Sequence, residues 1–309
     1  MLFTLLLTVL VACGNTETDK NVASEDEQQS DQKAEQAFPV TLKDAEGNDV
    51  TITEEPKRIV SLMPSNTEIL FELGVGDKVV GVNDNDNYPT EVADIEKIGG
   101  MEYNLEKIMS LKPDLVVAHA SGMYGLGDGV AQLEAAGIPV FVVQNAVTFE
   151  ETYETIAQIG QLTGTATKAD EINKAIQAKL DEIAAKVKDV EQKSAFVVVG
   201  IEPDIYAVGT KTYMDEMLKV ANIKNTVAEE GWPMYSAEQL VASDADYVIA
   251  TYESDLELLK SNDLFKTMKA VQSNSLATVD GDITSRQGPR LAEGVELLAK
   301  AVYPEVFNE

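Results

Sequence analysis

Few residues in this chain could do chemistry. There is one histidine, His119, one cysteine, Cys13, and three arginines, Arg58, Arg286 and Arg290. A Ser-His-Asp triad would have to use His119, yet no Gly-x-Ser-x-Gly elbow is present to present a nucleophile. No Walker A sequence occurs. Gly125-Leu-Gly127-Asp-Gly129 lacks the spacing of a dinucleotide fingerprint and reads instead as a flexible cleft loop. Asp84-Asn-Asp86-Asn-Tyr88 opens like a calcium loop, but Pro89 and Ile95 stand where glycine and glutamate are needed. A single histidine argues against capture of zinc or manganese, and one Cys with one His leaves no structural zinc site. The pattern implies binding without turnover: no catalytic residue, no metal site and no intrinsic cofactor.

The body that positions these residues is acidic. It has 309 residues, room for two domains, is 44% hydrophobic and 25% charged, and carries a formal charge of −29. Nucleic acid is not an expected partner, because its phosphates require clustered Lys and Arg. An anionic membrane surface would repel such a body unless a covalent anchor held it. Residues 1–12 are apolar but too short to span a bilayer, and they fit the core of a secretory signal. Leu10-Val11-Ala12-Cys13 resembles the bacterial lipobox, which makes Cys13 the expected lipidation site and 1–13 the signal segment. No basic residue precedes Leu2, so the true start is expected upstream of Met1. Residues 14–37 are rich in Glu, Asp, Gln, Ser and Asn, and predict a disordered acidic tether.

From Phe38 the chain reads as alternating strands and helices. Val40-Thr-Leu42 and Val50-Thr-Ile52 flank a turn at Glu46-Gly-Asn48 and predict a hairpin. Strands are expected at 58–62, 79–82, 115–118 and 140–143, with intervening helices beginning at Pro64, capped by Asn104, and ending at Gly137. Continuous apolar strands separated by helices imply a parallel sheet covered on both faces. Ile172, Ile176, Leu180, Ile183, Val187 and Val190 form an unbroken helical stripe. That helix, 167–189, is either a surface helix of one lobe or a rigid connector. Strands then restart at 195–199, 247–250 and 277–279, with helices at 213–220 and 291–301. The layout is an N-terminal α/β lobe at 38–166, a bridging helix at 167–189 and a C-terminal α/β lobe at 190–309: two Rossmann-like lobes with parallel sheets.

A cleft between such lobes is built from loops at the C-terminal ends of strands. Those loops carry Ser65, Asn66, Tyr88, Tyr103, His119 and Tyr124 in the first lobe, and Tyr206, Trp232, Tyr235, Arg286 and Arg290 in the second. Aromatic walls suit a large flat ligand. Arg286 and Arg290 lie within one helical turn and could hold a carboxylate or phosphate, or Arg290 could brace the last helix. His119 could ligate haem iron or be a satisfied polar residue. A pseudo-repeat links the lobes. Asn104-Leu-Glu106 and Ser236-Ala-Glu238 stand 132 residues apart, as do Asp114 and Asp246, each ahead of an apolar strand. Each glutamate compensates a helix dipole on its own. As a pair they could meet two basic patches on a dimeric partner.

Pro56-Lys-Arg-Ile-Val-Ser-Leu-Met-Pro-Ser-Asn-Thr-Glu-Ile-Leu70, Val80-Gly-Val82, Tyr88-Pro89, Asn104-Leu-Glu-Lys-Ile108, Leu111-Lys-Pro-Asp-Leu115 and Gly288-Pro-Arg290 resemble the substrate-binding proteins of ABC importers for vitamin B12, iron siderophores and haem. The resemblance runs from Phe38 to Phe307. It implies a class III periplasmic-binding-protein-like architecture with two lobes on one helix, and a cargo held between them. It matches the family's two docking glutamates to Glu106 and Glu238, which would meet arginines of a permease dimer. The expected protein is a monomeric, extracytoplasmic lipoprotein anchored to a bacterial membrane. Its expected cargo is a ferric chelate or haem first, a corrinoid second. A sensor or adhesion lipoprotein on the same fold is the rival reading, and an α/β hydrolase is disfavoured by the missing nucleophile motif.

Overall fold

Short Val- and Ile-rich runs, each closed by a turn and followed by an amphipathic stretch, set the order of elements. The structure is a computed structural model that describes residues 38–307. Cys13, the expected signal segment at 1–13 and the expected tether at 14–37 lie outside them. The first half holds strands β1 (Val40–Lys43), β2 (Asp49–Ile52), β3 (Ile59–Ser61), β4 (Val79–Val82), β5 (Glu96–Lys97), β6 (Leu115–His119) and β7 (Val140–Val143). Its helices are α1 (Pro64–Glu72), α2 (Leu105–Ser110), α3 (Met123–Leu126), α4 (Gly129–Ala135) and α5 (Phe149–Leu162). The second half follows α6 (Ala166–Val187), with strands β8 (Lys193–Gly200), β9 (Ile205–Ala207), β10 (Ile223–Asn225), β11 (Met234–Tyr235), β12 (Tyr247–Ala250) and β13 (Leu276–Thr278). Its helices are α7 (Tyr213–Val220), α8 (Ala237–Ala242), α9 (Glu253–Ser261), α10 (Lys269–Gln272), α11 (Gly281–Ser285), α12 (Leu291–Val302) and α13 (Pro304–Phe307).

The expected hairpin forms between β1 and β2, with Val40 opposite Ile52 and Thr41 opposite Thr51. Behind it, β5-β4-β3-β6-β7 is a five-stranded, all-parallel sheet. Every residue of β3, β6 and β7 is buried, as a sheet covered by helices on both faces requires. The second sheet, β11-β9-β8-β12-β13 with β10 also beside β8, departs from the parallel expectation. Strands β8, β10, β12 and β13 are parallel, but β9 runs antiparallel to β8 and to β11. The reason is chain length: only residues 201–204 separate β8 from β9, too few for a crossover, so the chain must turn back on itself.

Helix α6 buries Ala169, Ile172, Ile176, Leu180, Ile183 and Val187 along one stripe. It packs against α5 from the first half and against α7 and α12 from the second, so it bridges two lobes. A single apolar cluster runs through it, from Leu70 and Ile156 on one side to Leu218 and Val295 on the other. The remaining faces of the two sheets have separate cores, around Val116 and Leu133 in one lobe and Phe196 and Val248 in the other. Helix α5 was not anticipated from the apolar pattern. Its start is nonetheless written in the sequence as a capping box: Thr148 Oγ1 accepts from Glu151 N (3.2 Å) and Glu151 Oε2 accepts from Thr148 N (3.0 Å).

The pseudo-repeat has a structural basis. Asp114 accepts from the backbone N–H groups of Lys57 (2.9 Å) and Arg58 (2.9 Å), at the entrance to β3. Asp246 accepts from Ser194 N (2.9 Å) and Ser194 Oγ (2.8 Å), near the start of β8. Each aspartate thus pins the strand beside its own. Among the described residues no helix is long and apolar enough to cross a membrane.

Candidate ligand cleft

The C-terminal ends of β3, β4 and β6 and the segment after β13 converge on a cavity of about 530 Å³. The first lobe supplies most of its wall, including Met63, Ser65, Asn83, Asn85, Met101, Tyr103, His119, Ser121, Tyr124 and Asn145. The second supplies Asp282, Ser285, Arg286 and Gln287. Hydrogen bonds within the wall hold its polar groups in place. The Leu62 carbonyl, at the exit of β3, accepts from both Tyr103 Oη (2.7 Å) and Asn83 Nδ2 (3.0 Å). Asn83 Oδ1 accepts from Asn85 N (2.9 Å) and shapes the loop that follows. Gly125 lies against the Met101 carbonyl so closely that an added Cβ would sit 2.1 Å from its oxygen. The glycine-rich stretch expected to be a flexible loop runs from the end of α3 to the start of α4, with Gly125 and Gly129 tightly packed and Gly127 in open space.

His119 ends β6 and is buried. Its Nδ1 accepts from Ser121 N (3.2 Å) and lies 2.8 Å from Ser121 Oγ. Burial lowers its pKa to about 4, so the ring is neutral at physiological pH. With Nδ1 occupied as an acceptor, the proton resides on Nε2, which makes the ring a donor rather than a ready metal ligand. Among the described residues no group of three His, Cys, Asp or Glu side chains could hold a metal ion.

The two arginines meet a partner the sequence reading missed. Glu68 on α1 has a side chain only 2% exposed and binds both. Arg290 Nε donates to its Oε2 (2.9 Å) and Arg290 Nη2 to its Oε1 (2.6 Å), while Arg286 Nη1 donates to Oε1 (2.8 Å). Arg286 also donates to Asn87 Oδ1 (2.8 Å) and Asn85 O (3.3 Å), and pairs with Asp282 Oδ2 at 3.0 Å. Asn87 Nδ2 donates to the same Asp282 oxygen (2.7 Å). The loop after β4 is thereby tied to α11 of the other lobe. A signal for Glu68 existed: a carboxylate inside the buried run Asn66-Thr67-Glu68-Ile69-Leu70 needs a charged partner, and the chain has three arginines.

Other expected residues fall elsewhere. Asn66 is fully buried and its Nδ2 donates to Ala118 O (3.0 Å), so it fastens α1 to β6 and does not reach the cleft. Arg290 braces Glu68, with its guanidinium 4.2 Å from the centre of the Tyr88 ring, and neither residue lines the cavity. Tyr206, Trp232 and Tyr235 also stand outside its lining. Tyr235 packs edge-on against Phe196 (5.2 Å between centroids) and donates to Glu229 (2.5 Å). Tyr206 and Trp232 are exposed. Tyr206 lies opposite Met234 near the cleft-side end of the second sheet. Within the Asn83–Asn87 loop, Asp86 is buried with both carboxylate oxygens unpartnered, and burial raises its pKa to about 6. A larger groove, about 780 Å³, opens at the opposite, N-terminal ends of β6 and β7. It is lined by five carboxylates, one lysine and no aromatic residue, and none of the expected binding residues lies there.

Glu106 and Glu238 are exposed at the second positions of α2 and α8. Asn104 Oδ1 caps the first helix at Lys107 N (3.0 Å), and Ser236 Oγ caps the second at Gln239 N (3.2 Å). Both helices start beyond the cleft-side ends of their sheets.

Two α/β lobes on one long helix, with a cavity where they meet, define a two-lobed solute-binding protein. The chain belongs to the periplasmic binding protein family, whose model matches residues 59–283. It is 44% identical to an uncharacterized ABC transporter substrate-binding lipoprotein, YvrC, of Bacillus subtilis, over 97% of this chain and 95% of that protein. It is 28% identical to a cobalamin-binding protein of Halobacterium salinarum, covering 86% of this chain and 75% of that one. Among solved structures, a possible iron-binding, periplasmic solute-binding protein of Staphylococcus epidermidis superposes with a TM-score of 0.74 at 36% identity, covering 81% of this chain and all of that one. Membership makes this a solute-binding protein rather than an enzyme.

Proposed function

We propose that this protein captures a metal chelate, an iron complex or a corrinoid, in the interlobe cleft and delivers it to an ABC importer, working from the outer face of a membrane to which Cys13 anchors it. The observation that carries the reading is the cavity itself. Its wall is contributed by both lobes and is dense in fixed amides and hydroxyls, with Tyr103, Tyr124 and Met101 available to a flat ligand. The names of the cobalamin-binding relative and the possible iron-binding structure support a chelate as cargo.

Docking falls to Glu106 and Glu238, which are exposed, equivalent in the two lobes and outside the cavity lining. Two carboxylates so placed suit charge-assisted contacts with arginines on the two halves of a permease. The test is Glu106→Ala, Glu238→Ala and the pair, with cargo affinity and uptake measured on the same preparations. Affinity should stay within a factor of about two, while uptake in the double variant should fall roughly tenfold or more. A collapse of cargo affinity with permease association intact would assign these residues to the wrong surface. For the anchor, Cys13→Ala expressed behind a complete signal sequence should release the protein from the membrane fraction, and full retention would refute acylation.

A further inference from the structure

Among the described residues the cleft has one cationic side chain in its wall, Arg286, and that charge is already answered. Its side chain is 10% exposed. Both terminal nitrogens are engaged, Nη1 by Glu68 and Asn87, Nη2 by the Asn85 carbonyl and Asp282. Glu68 also holds Arg290 bidentately, so two guanidinium groups face two carboxylates. His119 is neutral by burial. No lysine lines the cavity, and Lys97, behind the wall, donates to the Asp86 carbonyl (2.8 Å). Beside the paired Arg286 and Asp282, the polar groups that face a ligand are amides and hydroxyls, among them Asn83, Asn85, Asn145, Gln287, Ser65 and Ser121. An anionic ligand entering here would lose hydration without gaining an unpaired cation, inside a body that already carries −29.

We infer that Glu68 and Asp282 act as specificity-determining residues by neutralising Arg286, so that the cleft selects a chelate with no net negative charge and an amide- or hydroxyl-bearing fringe. This rests on the capture reading above and narrows it. Haem, with its free propionates, and ferric tris-catecholates are disfavoured. Net-neutral corrinoids and uncharged or cationic ferric hydroxamates are favoured.

The test is calorimetric titration of the full chain with cyanocobalamin, a ferric hydroxamate, haemin and a ferric tris-catecholate. Wild-type protein should bind one of the first two and bind the anionic pair at least about tenfold more weakly. Glu68→Gln and Asp282→Asn should each shift the ratio of affinities towards the anionic probes by roughly tenfold, about one unit of charge-dependent preference. Asp282 is half-exposed on a short helix, so its variant folds even if loss of Glu68 does not. Tightest wild-type binding of an anionic probe, or a preference unmoved in Asp282→Asn, overturns the charge inference while leaving capture intact. If no chelate of any charge binds the wild-type protein, the capture reading falls and this inference with it.

Discussion

Asp86 is the residue whose surroundings fit it worst. Its carboxylate is buried and has no hydrogen-bond partner, and the nearby Thr67 hydroxyl donates its proton to Ser61 Oγ (2.8 Å). The folded carboxyl keeps its proton up to about pH 6, against 3.8 for the unperturbed group. The destabilisation is therefore fully present above about pH 6 and fades as pH falls towards 4. Asp86→Asn should raise stability at pH 7 by about 2 kcal/mol, with the gain vanishing near pH 4, as read by urea denaturation across that range. His119 acts in the opposite sense: unfolded it takes up a proton below 6.5, folded only below about 4, so stability is lost as pH falls through that window. Removing Asp86 should expose this slope, and a variant no more stable than wild type at pH 7 would show that the carboxyl is satisfied. Asp86 could be seen beforehand only as part of a failed calcium loop. Its burial depends on how α1 and the loop after β4 pack, which no local pattern encodes. Likewise the pair Arg286 and Arg290 was legible as a site of opposite charge, but the partner, Glu68, lies more than two hundred residues away in the chain.

Elements were read more reliably than contacts because each is governed by near neighbours. Strands β4, β7 and β12 and helix α7 fall at the residues their apolar patterns indicate, since buried parallel strands and amphipathic helices declare themselves by composition and period. Helix α5 was passed over although it follows β7 directly and buries Phe149, Ile156, Ile159 and Leu162 along one face. Its capping box predicts a measurable effect: Thr148→Ala should cost about 1 kcal/mol in chemical denaturation, and Thr148→Ser should largely restore it. An equally stable alanine variant would mean that Glu216, which accepts from Phe149 N (2.8 Å) at the same helix start, suffices alone. The mixed second sheet was misjudged as well. Parallel strands were inferred from apolar runs, whereas the direction of β9 is decided by the length of the turn before it. The aromatic residues of that lobe were assigned to the cleft by their position after strands, but Tyr206 on β9, Tyr235 on β11 and Trp232 just before β11 stand outside the cavity lining.

At the scale of the whole molecule, two lobes divided by a cleft are joined by more than a tether. The cluster through α5, α6, α7 and α12 belongs to both, and Glu68 with its two arginines ties them again beside the cavity. Closure on cargo that keeps those apolar contacts is expected to be a small rotation about α6. The same continuity has a consequence for how the chain folds. A lobe made alone would expose its share of that cluster to water and should lose stability, although each keeps a core of its own. Heating should give one calorimetric transition with matching van't Hoff and calorimetric enthalpies, and two resolved transitions would mean that the halves melt independently. Splitting the gene within α6 should yield fragments that are unfolded apart and recover native structure only when mixed, so that the two-lobed body is, for folding purposes, indivisible.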